Sequence, residues 1–80
     1  MLGSWGFMES RLVLYRNRLE YRPGLLQRTV VVPLRSIEAV EVVPLAGVLE
    51  ITAGGMRHRV SVSAPLAAQE ARDAIAVALP

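Results

Sequence analysis

The residues that could perform chemistry are few and widely spaced in this sequence. It has one histidine, His58, and no cysteine, which excludes disulfides and thiolate metal sites. Its acidic residues are dispersed as Glu9, Glu20, Glu38, Glu41, Glu50, Glu70 and Asp73. Catalysis needs an acid, a base or a nucleophile positioned within reach of one another. The inventory therefore indicates a protein that is not an enzyme and uses no cofactor and no metal.

Two other features could suggest catalysis, but neither has suitable surroundings. Ser61 and Ser63 lack a second base that would activate a hydroxyl. The pair Gly54-Gly55 lies between two β-rich runs, whereas a phosphate-binding glycine loop joins a strand to a helix. We expect the glycine pair to be a turn and His58 to be a partly buried core residue.

Positive charge is concentrated in the first half of the chain. All the basic residues are arginines, and six of them lie between Ser10 and Ser36 with one acid, Glu20. This asymmetry predicts either a basic surface that could meet phosphate or anionic lipid, or an ordinary solvated strand face. The formal net charge of only +2 and the scarcity of aromatic side chains argue against nucleic acid as a partner.

A β-hairpin is predicted for the arginine-rich segment 11–21. Its apolar and aromatic runs are interrupted by Arg16-Asn17, which is typical of a tight turn. Such a turn sets the register of the two strands. The expected pairs are Leu14 with Leu19 and Leu12 with Tyr21 on an apolar face, and Val13 with Glu20 on the other face. The candidate ligand-binding residues on or beside this hairpin are Arg11, Arg16, Arg18 and Arg22.

The next predicted elements are a turn at Pro23-Gly24, with the glycine at positive φ, and a strand over 27–32. The three valines that end this strand do not alternate with polar residues, so one of them must point away from the core. We expect that residue to be Val31, either as an isolated surface hydrophobe or as an interface residue. Pro33 ends the strand, a further strand follows over 36–43, and residues 44–47 form the next connection.

A second hairpin is predicted around Gly54-Gly55, because a type I′ turn needs positive φ at both central residues. Its register pairs Ala53 with Met56, Ile51 with His58 and Leu49 with Val60 on the core face. Thr52 then pairs with Arg57, and Glu50 with Arg59, on the outer face.

The chain should end in one helix over about 65–79. Pro65 suits a first helical turn, and Ser63 is the predicted N-cap. The expected apolar stripe consists of Ala67, Ala71, Ile75 and Ala78, flanked by Leu66, Ala68, Ala74 and Leu79. Near the other end of the chain, Trp5 and Phe7 should share one face of a first strand, either in the core or at an interface.

The stretches LVLYRNRLEYRPGLL and VVVPLRSIEAVEV, with the strand junction Val32, Pro33, Leu34, Ile37 and Val40, resemble bacterial pleckstrin-homology-like domains. The resemblance covers roughly Leu12 to Leu79. It implies a partly open barrel of two orthogonal antiparallel sheets, with about six to seven strands, plugged by the C-terminal helix. It also implies a self-assembling or membrane-protein-associated module. We expect a single domain over 1–80, with strands over about 4–63.

The composition, with 52% hydrophobic residues in 80, is rich in apolar side chains for so small a core and predicts a homo-oligomer. The chain lacks cysteine and any run of about 20 apolar residues, so we expect a cytoplasmic location. The predicted function is a non-catalytic interaction module that binds copies of itself or a protein partner through Trp5, Phe7 and Val31. The alternative is peripheral binding of anionic lipid at the membrane, or of another phosphorylated ligand, through Arg11, Arg16, Arg18 and Arg22.

Overall fold

A computed structural model describes residues 1–7, 10–24, 26–62 and 64–80. Within these residues the chain forms seven strands followed by one helix, which confirms the expected mainly β architecture with a C-terminal helix. A short 3-10 helix, Leu34–Ser36, connects the fourth strand to the fifth. The elements are β1 (Gly3–Phe7), β2 (Ser10–Leu14), β3 (Arg18–Arg22), β4 (Val30–Pro33), β5 (Ile37–Val43), β6 (Val48–Ala53), β7 (Met56–Ser61) and α1 (Pro65–Ala78).

The strands form two antiparallel sheets that are not closed into one another. The first sheet has the order β1-β2-β3-β4, and the second has the order β5-β6-β7. Each strand is therefore hydrogen-bonded to its neighbour in sequence, except where the 3-10 helix separates β4 from β5. The helix α1 contacts β1 of the first sheet and both β5 and β6 of the second.

The hydrophobic core lies between the sheets and the helix. Alternate residues of the central strands supply fully buried side chains, among them Leu12, Leu19 and Ile51. The helix adds Ala68, Ala71 and Ile75, which lie three and four residues apart and so share one face. Tyr21 is also buried, as its place on the predicted apolar face requires.

The first hairpin has the predicted register. Leu14 pairs with Leu19, Leu12 with Tyr21 and Val13 with Glu20. The turn is closed by the N–H of Tyr15, which donates to the carbonyl oxygen of Arg18 at 2.9 Å.

The second hairpin also has the predicted register, and its two glycines have the positive φ values of 56° and 80° that a type I′ turn needs. Glu50 lies between two arginines, 3.5 Å from Arg59 and 3.7 Å from Arg57. The prediction of a core position for Met56 is wrong, because its side chain is 65% exposed. Met56 directly follows the turn, where its long side chain extends past the core while the short Ala53 opposite stays buried.

The connection between β3 and β4 differs from the prediction. Its turn is closed by the N–H of Gln27 donating to the carbonyl oxygen of Gly24 at 3.2 Å, and Gly24 does not adopt positive φ. Residues 27–29 therefore belong to the connection, and β4 begins only at Val30. The prediction that Val31 points outward is confirmed, since it is 55% exposed while Val32 is buried.

The helix begins with Pro65 in its first turn, as predicted, but its N-cap is Ala64, which makes no side-chain capping bond. The predicted cap, Ser63, lies outside the described residues. Leu66 was expected on the apolar stripe, yet it is 71% exposed. Residues two positions apart in an α-helix are separated by about 200° of rotation, so Leu66 lies on the opposite side of the helix from the buried Ala68. Nowhere in the described ranges is a helix both long and apolar enough to cross a membrane.

Candidate functional site

An open groove of about 490 Å³ collects residues from five parts of the chain. We call it the arginine groove, because three arginines line it. Its residues come from the β2–β3 turn, from the first residue of β3, from β4, from the 3-10 helix and from the C-terminal end of α1 and the residues after it: Arg16, Asn17, Arg18, Val31, Pro33, Leu34, Arg35, Ala78 and Pro80.

Local backbone contacts hold the walls of the arginine groove together. The N–H of Leu34 donates to the carbonyl oxygen of Asn17 at 3.1 Å, which joins the 3-10 helix to the β2–β3 turn. Arg18 pairs directly with Pro33 across β3 and β4. Because Leu34 is buried in the core, it anchors the 3-10 helix that carries Arg35.

Arg18 is fixed and largely neutralised within the groove. Its Nε lies 2.5 Å from Oε2 of Glu20, and its Nη1 donates to Oδ1 of Asn17 at 3.0 Å. The guanidinium carbon lies 4.0 Å from the centroid of the Tyr15 ring, which is within range of a cation–π interaction. These contacts leave little of its charge for a ligand.

Arg16 and Arg35 differ from Arg18, because both are exposed and neither forms an ion pair with another described residue. The lining of the groove includes no aspartate or glutamate among the residues described. Arg16 and Arg35 therefore contribute two guanidinium charges that no aspartate or glutamate side chain in the described lining offsets. Arg35 was not among the predicted site residues, since nothing local in the sequence connects it to the first hairpin.

The other two predicted arginines lie elsewhere. Arg11 and Arg22 face each other across β2 and β3, at the end of the hairpin remote from its turn. They line a separate, shallow depression of about 200 Å³ together with Glu20 and Thr29. Nε of Arg11 donates to Oγ of Ser4 at 3.2 Å. The four candidate arginines thus divide into two pairs.

The three predicted interface residues are also separated. Val31 lines the arginine groove. Trp5 is half-buried and packs against the core, with its ring lying over Gly3 so closely that a Cβ there would collide with it. The side chain of Phe7 lies outside the described part of the structure.

A second open groove, of about 560 Å³, runs beside α1 and is lined almost entirely by apolar side chains. We call it the helix groove. Its residues are Leu2, Leu14, Asp73, Ala74, Val77 and Ala78. Leu2 is 54% exposed and Val77 is 87% exposed, so both offer apolar surface to solvent. Ala78 lines both grooves, which places them on two sides of the helix end.

His58 is half-buried, as expected, and has one polar partner that sequence analysis did not identify. Its Nδ1 lies 2.6 Å from the hydroxyl oxygen of Tyr21, and the two rings meet edge to face. Burial raises the pKa of the Tyr21 hydroxyl above its ordinary value. Within the described ranges, no three histidine, aspartate or glutamate side chains are grouped closely enough to hold a metal ion.

Comparison with protein-family models, with curated proteins and with solved structures found no match to this chain. Its function is therefore inferred from its own residues and their geometry.

Proposed function

We propose that this protein is a non-catalytic interaction module of the pleckstrin-homology-like kind, which self-associates and binds a protein partner. The order of seven strands in two antiparallel sheets followed by one helix supports the proposed fold. The two grooves on either side of the helix end supply the proposed contact surfaces.

Self-association is assigned to the helix groove. The observation that carries this assignment is the exposure of Leu2 and Val77 beside the small side chains of Ala74 and Ala78. Contact with a second copy would remove this apolar surface from water, which stabilises an assembly by about 25 cal/mol for each Å² buried. An interface between two arginine grooves would instead bring like charges together.

Binding of a protein partner is assigned to the arginine groove, because it combines arginines with the exposed valine of β4. Arginine and apolar side chains in one concave patch are typical of interface centres. The alternative function, binding of anionic lipid or another phosphorylated ligand, is favoured by the facing pair Arg11 and Arg22. Like charges directly opposite in a sheet are destabilising, and an anion would relieve their repulsion.

Sedimentation equilibrium of the complete chain tests self-association. We expect a concentration-dependent dimer or larger oligomer at micromolar concentration, and we expect Val77→Ser to weaken it by roughly tenfold, as for the loss of about 1.4 kcal/mol. Val31→Ser is the matched control, since it also changes an exposed valine but leaves the helix groove intact.

Two results would contradict the assignment. A wild-type chain that stays monomeric across the concentration range would remove self-association from the proposal. Dissociation by Val31→Ser, with Val77→Ser unchanged, would move the contact from the helix groove to the arginine groove.

A further inference from the structure

We propose that the arginine groove binds an acidic, extended segment of the protein partner, with a carboxylate held between Arg16 and Arg35 and a neighbouring apolar side chain against Val31. This proposal rests on the proposed function as a protein-binding module. It adds the chemistry of the partner and the two arginines that recognise it.

Charge is the first reason to expect an acidic segment in the arginine groove. Arg16 and Arg35 border one open volume, and neither is paired with another described residue. Arg18 is held by Glu20, so the surplus charge comes from the other two guanidinium groups. A guanidinium binds a carboxylate through two parallel, charge-assisted hydrogen bonds. An anionic group is therefore the complementary occupant.

The apolar lining is the second reason. Val31 and Pro33 are exposed on β4, and Ala78 is half-exposed at the helix end. A small inorganic anion would leave this surface in contact with water. An extended peptide presents successive side chains in different directions, so it can place an acid and an apolar residue against the two kinds of surface at once.

The helix sets the orientation of the segment. The C-terminal end of a helix carries a partial negative charge, which disfavours a carboxylate beside it. Ala78 belongs to that end of α1. The acidic side chain is therefore placed toward Arg16 and Arg35, and the apolar side chain toward Ala78.

The positions of the remaining hairpin arginines favour a peptide over a membrane surface. A flat anionic membrane would gain most from arginines that share one face. Arg16 is in the turn of the first hairpin, whereas Arg11 and Arg22 lie at the opposite end of its strands. The positive charge of the groove therefore comes from Arg16 and Arg35, and Arg11 and Arg22 do not contribute to it.

Fluorescence anisotropy with the complete chain tests the inference. The probe is a labelled peptide of alternating glutamate and leucine, and its control has glutamine at every glutamate. We expect binding of the glutamate peptide only, and weaker binding as salt rises. Arg16→Gln and Arg35→Gln should each weaken binding roughly threefold, and together about tenfold. Val31→Ser should weaken binding while leaving the salt dependence unchanged.

Arg28→Gln is the matched control, because Arg28 is an exposed arginine in the β3–β4 connection and outside the groove. Equal affinity for the two peptides, or an equal loss in Arg28→Gln, would overturn the inference. So would inorganic phosphate that competes as effectively as free peptide. Binding of phosphatidylserine vesicles that depends on Arg16 and Arg35, without peptide binding, would also overturn it and assign the groove to lipid.

Circular dichroism establishes that each variant is folded before its binding is compared. Sedimentation of the same samples separates this inference from the proposed function. Absent peptide binding with intact self-association would overturn the acidic-segment inference alone. Absent peptide binding in a chain that is also monomeric would contradict both proposals.

Discussion

Tyr21 and His58 form a polar contact between the two sheets. Tyr21 belongs to β3 of the first sheet and His58 to β7 of the second, and their side chains are joined at 2.6 Å. A buried hydroxyl without a partner would cost about 1–3 kcal/mol, so this hydrogen bond makes the placement of Tyr21 in the core tolerable. A second link, from Oγ of Ser10 to the carbonyl oxygen of Ser61 at 2.8 Å, joins the same two sheets.

Stability should fall at alkaline pH because of Tyr21. Its pKa is raised by burial above 10.0, so the folded state keeps a proton that the unfolded state releases. The contribution of this difference to the free energy of unfolding is constant below the pKa of the unfolded state, and it is lost as the pH rises through the pKa of the folded state. Urea unfolding from neutral pH to above pH 10 should show this decrease, and Tyr21→Phe should lack that component.

The absorbance of tyrosinate measures the same effect directly. In the Tyr15→Phe variant only Tyr21 titrates, so its ionisation should occur above pH 10. An ordinary titration near pH 10 in the folded protein would contradict the prediction.

Charge at single residues depends on tertiary neighbours more than on sequence. Six arginines in the first half of the chain suggest one strongly basic surface. In the structure, Arg18 is neutralised by Glu20, and Arg11, Arg22 and Arg28 lie outside the groove. Arg16 and Arg35 remain, so the unpaired positive charge of the groove comes from two residues on different elements.

At the level of elements, the hairpin turns were predicted where the turn chemistry is local. Gly54-Gly55 specifies positive φ at both central residues, and the alternation of the flanking strands then allows only one register that buries apolar side chains. The Pro23-Gly24 connection was predicted less well, because proline and glycine permit several turns. This connection is longer than predicted, and the N–H of Gln27 closes it by donating to the carbonyl oxygen of Gly24.

Replacing Gly55 by alanine should destabilise the protein by about 1–2 kcal/mol, because an alanine is strained in the left-handed region. Its φ is 80°, and a Cβ there would meet nothing within 4 Å, so the cost comes from the backbone alone. Urea unfolding measures the difference.

Gly24→Ala is the matched control for this substitution. Gly24 is not in the left-handed region, and a Cβ there would make an ordinary contact with Gln27 at 3.6 Å. The change should be neutral or stabilising by up to about 1 kcal/mol. An equal loss in both variants would mean that the positive φ of Gly55 is not the cause.

At the scale of the whole molecule, the helix holds two open sheets together. It contacts β1 on one side and β5 and β6 on the other. Ile75 is fully buried on the helix face that also carries Ala71 one turn before it. Because both sheets pack on the same helix, they should unfold in one cooperative transition.

Ile75→Ala should lower the free energy of unfolding by roughly 2–5 kcal/mol through the cavity that it leaves. Trp5 fluorescence reports the first sheet, and circular dichroism reports the whole chain, so the two transitions should shift together. Leu66→Ala, which changes an exposed residue of the same helix outside both grooves, should have almost no effect. Separate shifts of the two probes would show that the helix does not couple the sheets.

The sequence by itself determined the registers of both hairpins, the outward position of Val31 and the C-terminal helix. These features follow from alternation, turn residues and helical spacing, which act between residues close in the chain. The apolar pattern also predicted that Tyr21 lies in the core, but it did not predict the hydrogen bond to His58.

Only the tertiary structure decided which surface residues meet. Arg16, Val31 and Arg35 belong to a turn, a strand and a 3-10 helix, and the packing of Leu34 against the core brings them to one groove. The packing of the sheets and the helix also puts Trp5 against the core and leaves Leu66 in water. Such proximities depend on how the elements fold onto one another, and no local pattern in the sequence encodes that arrangement directly.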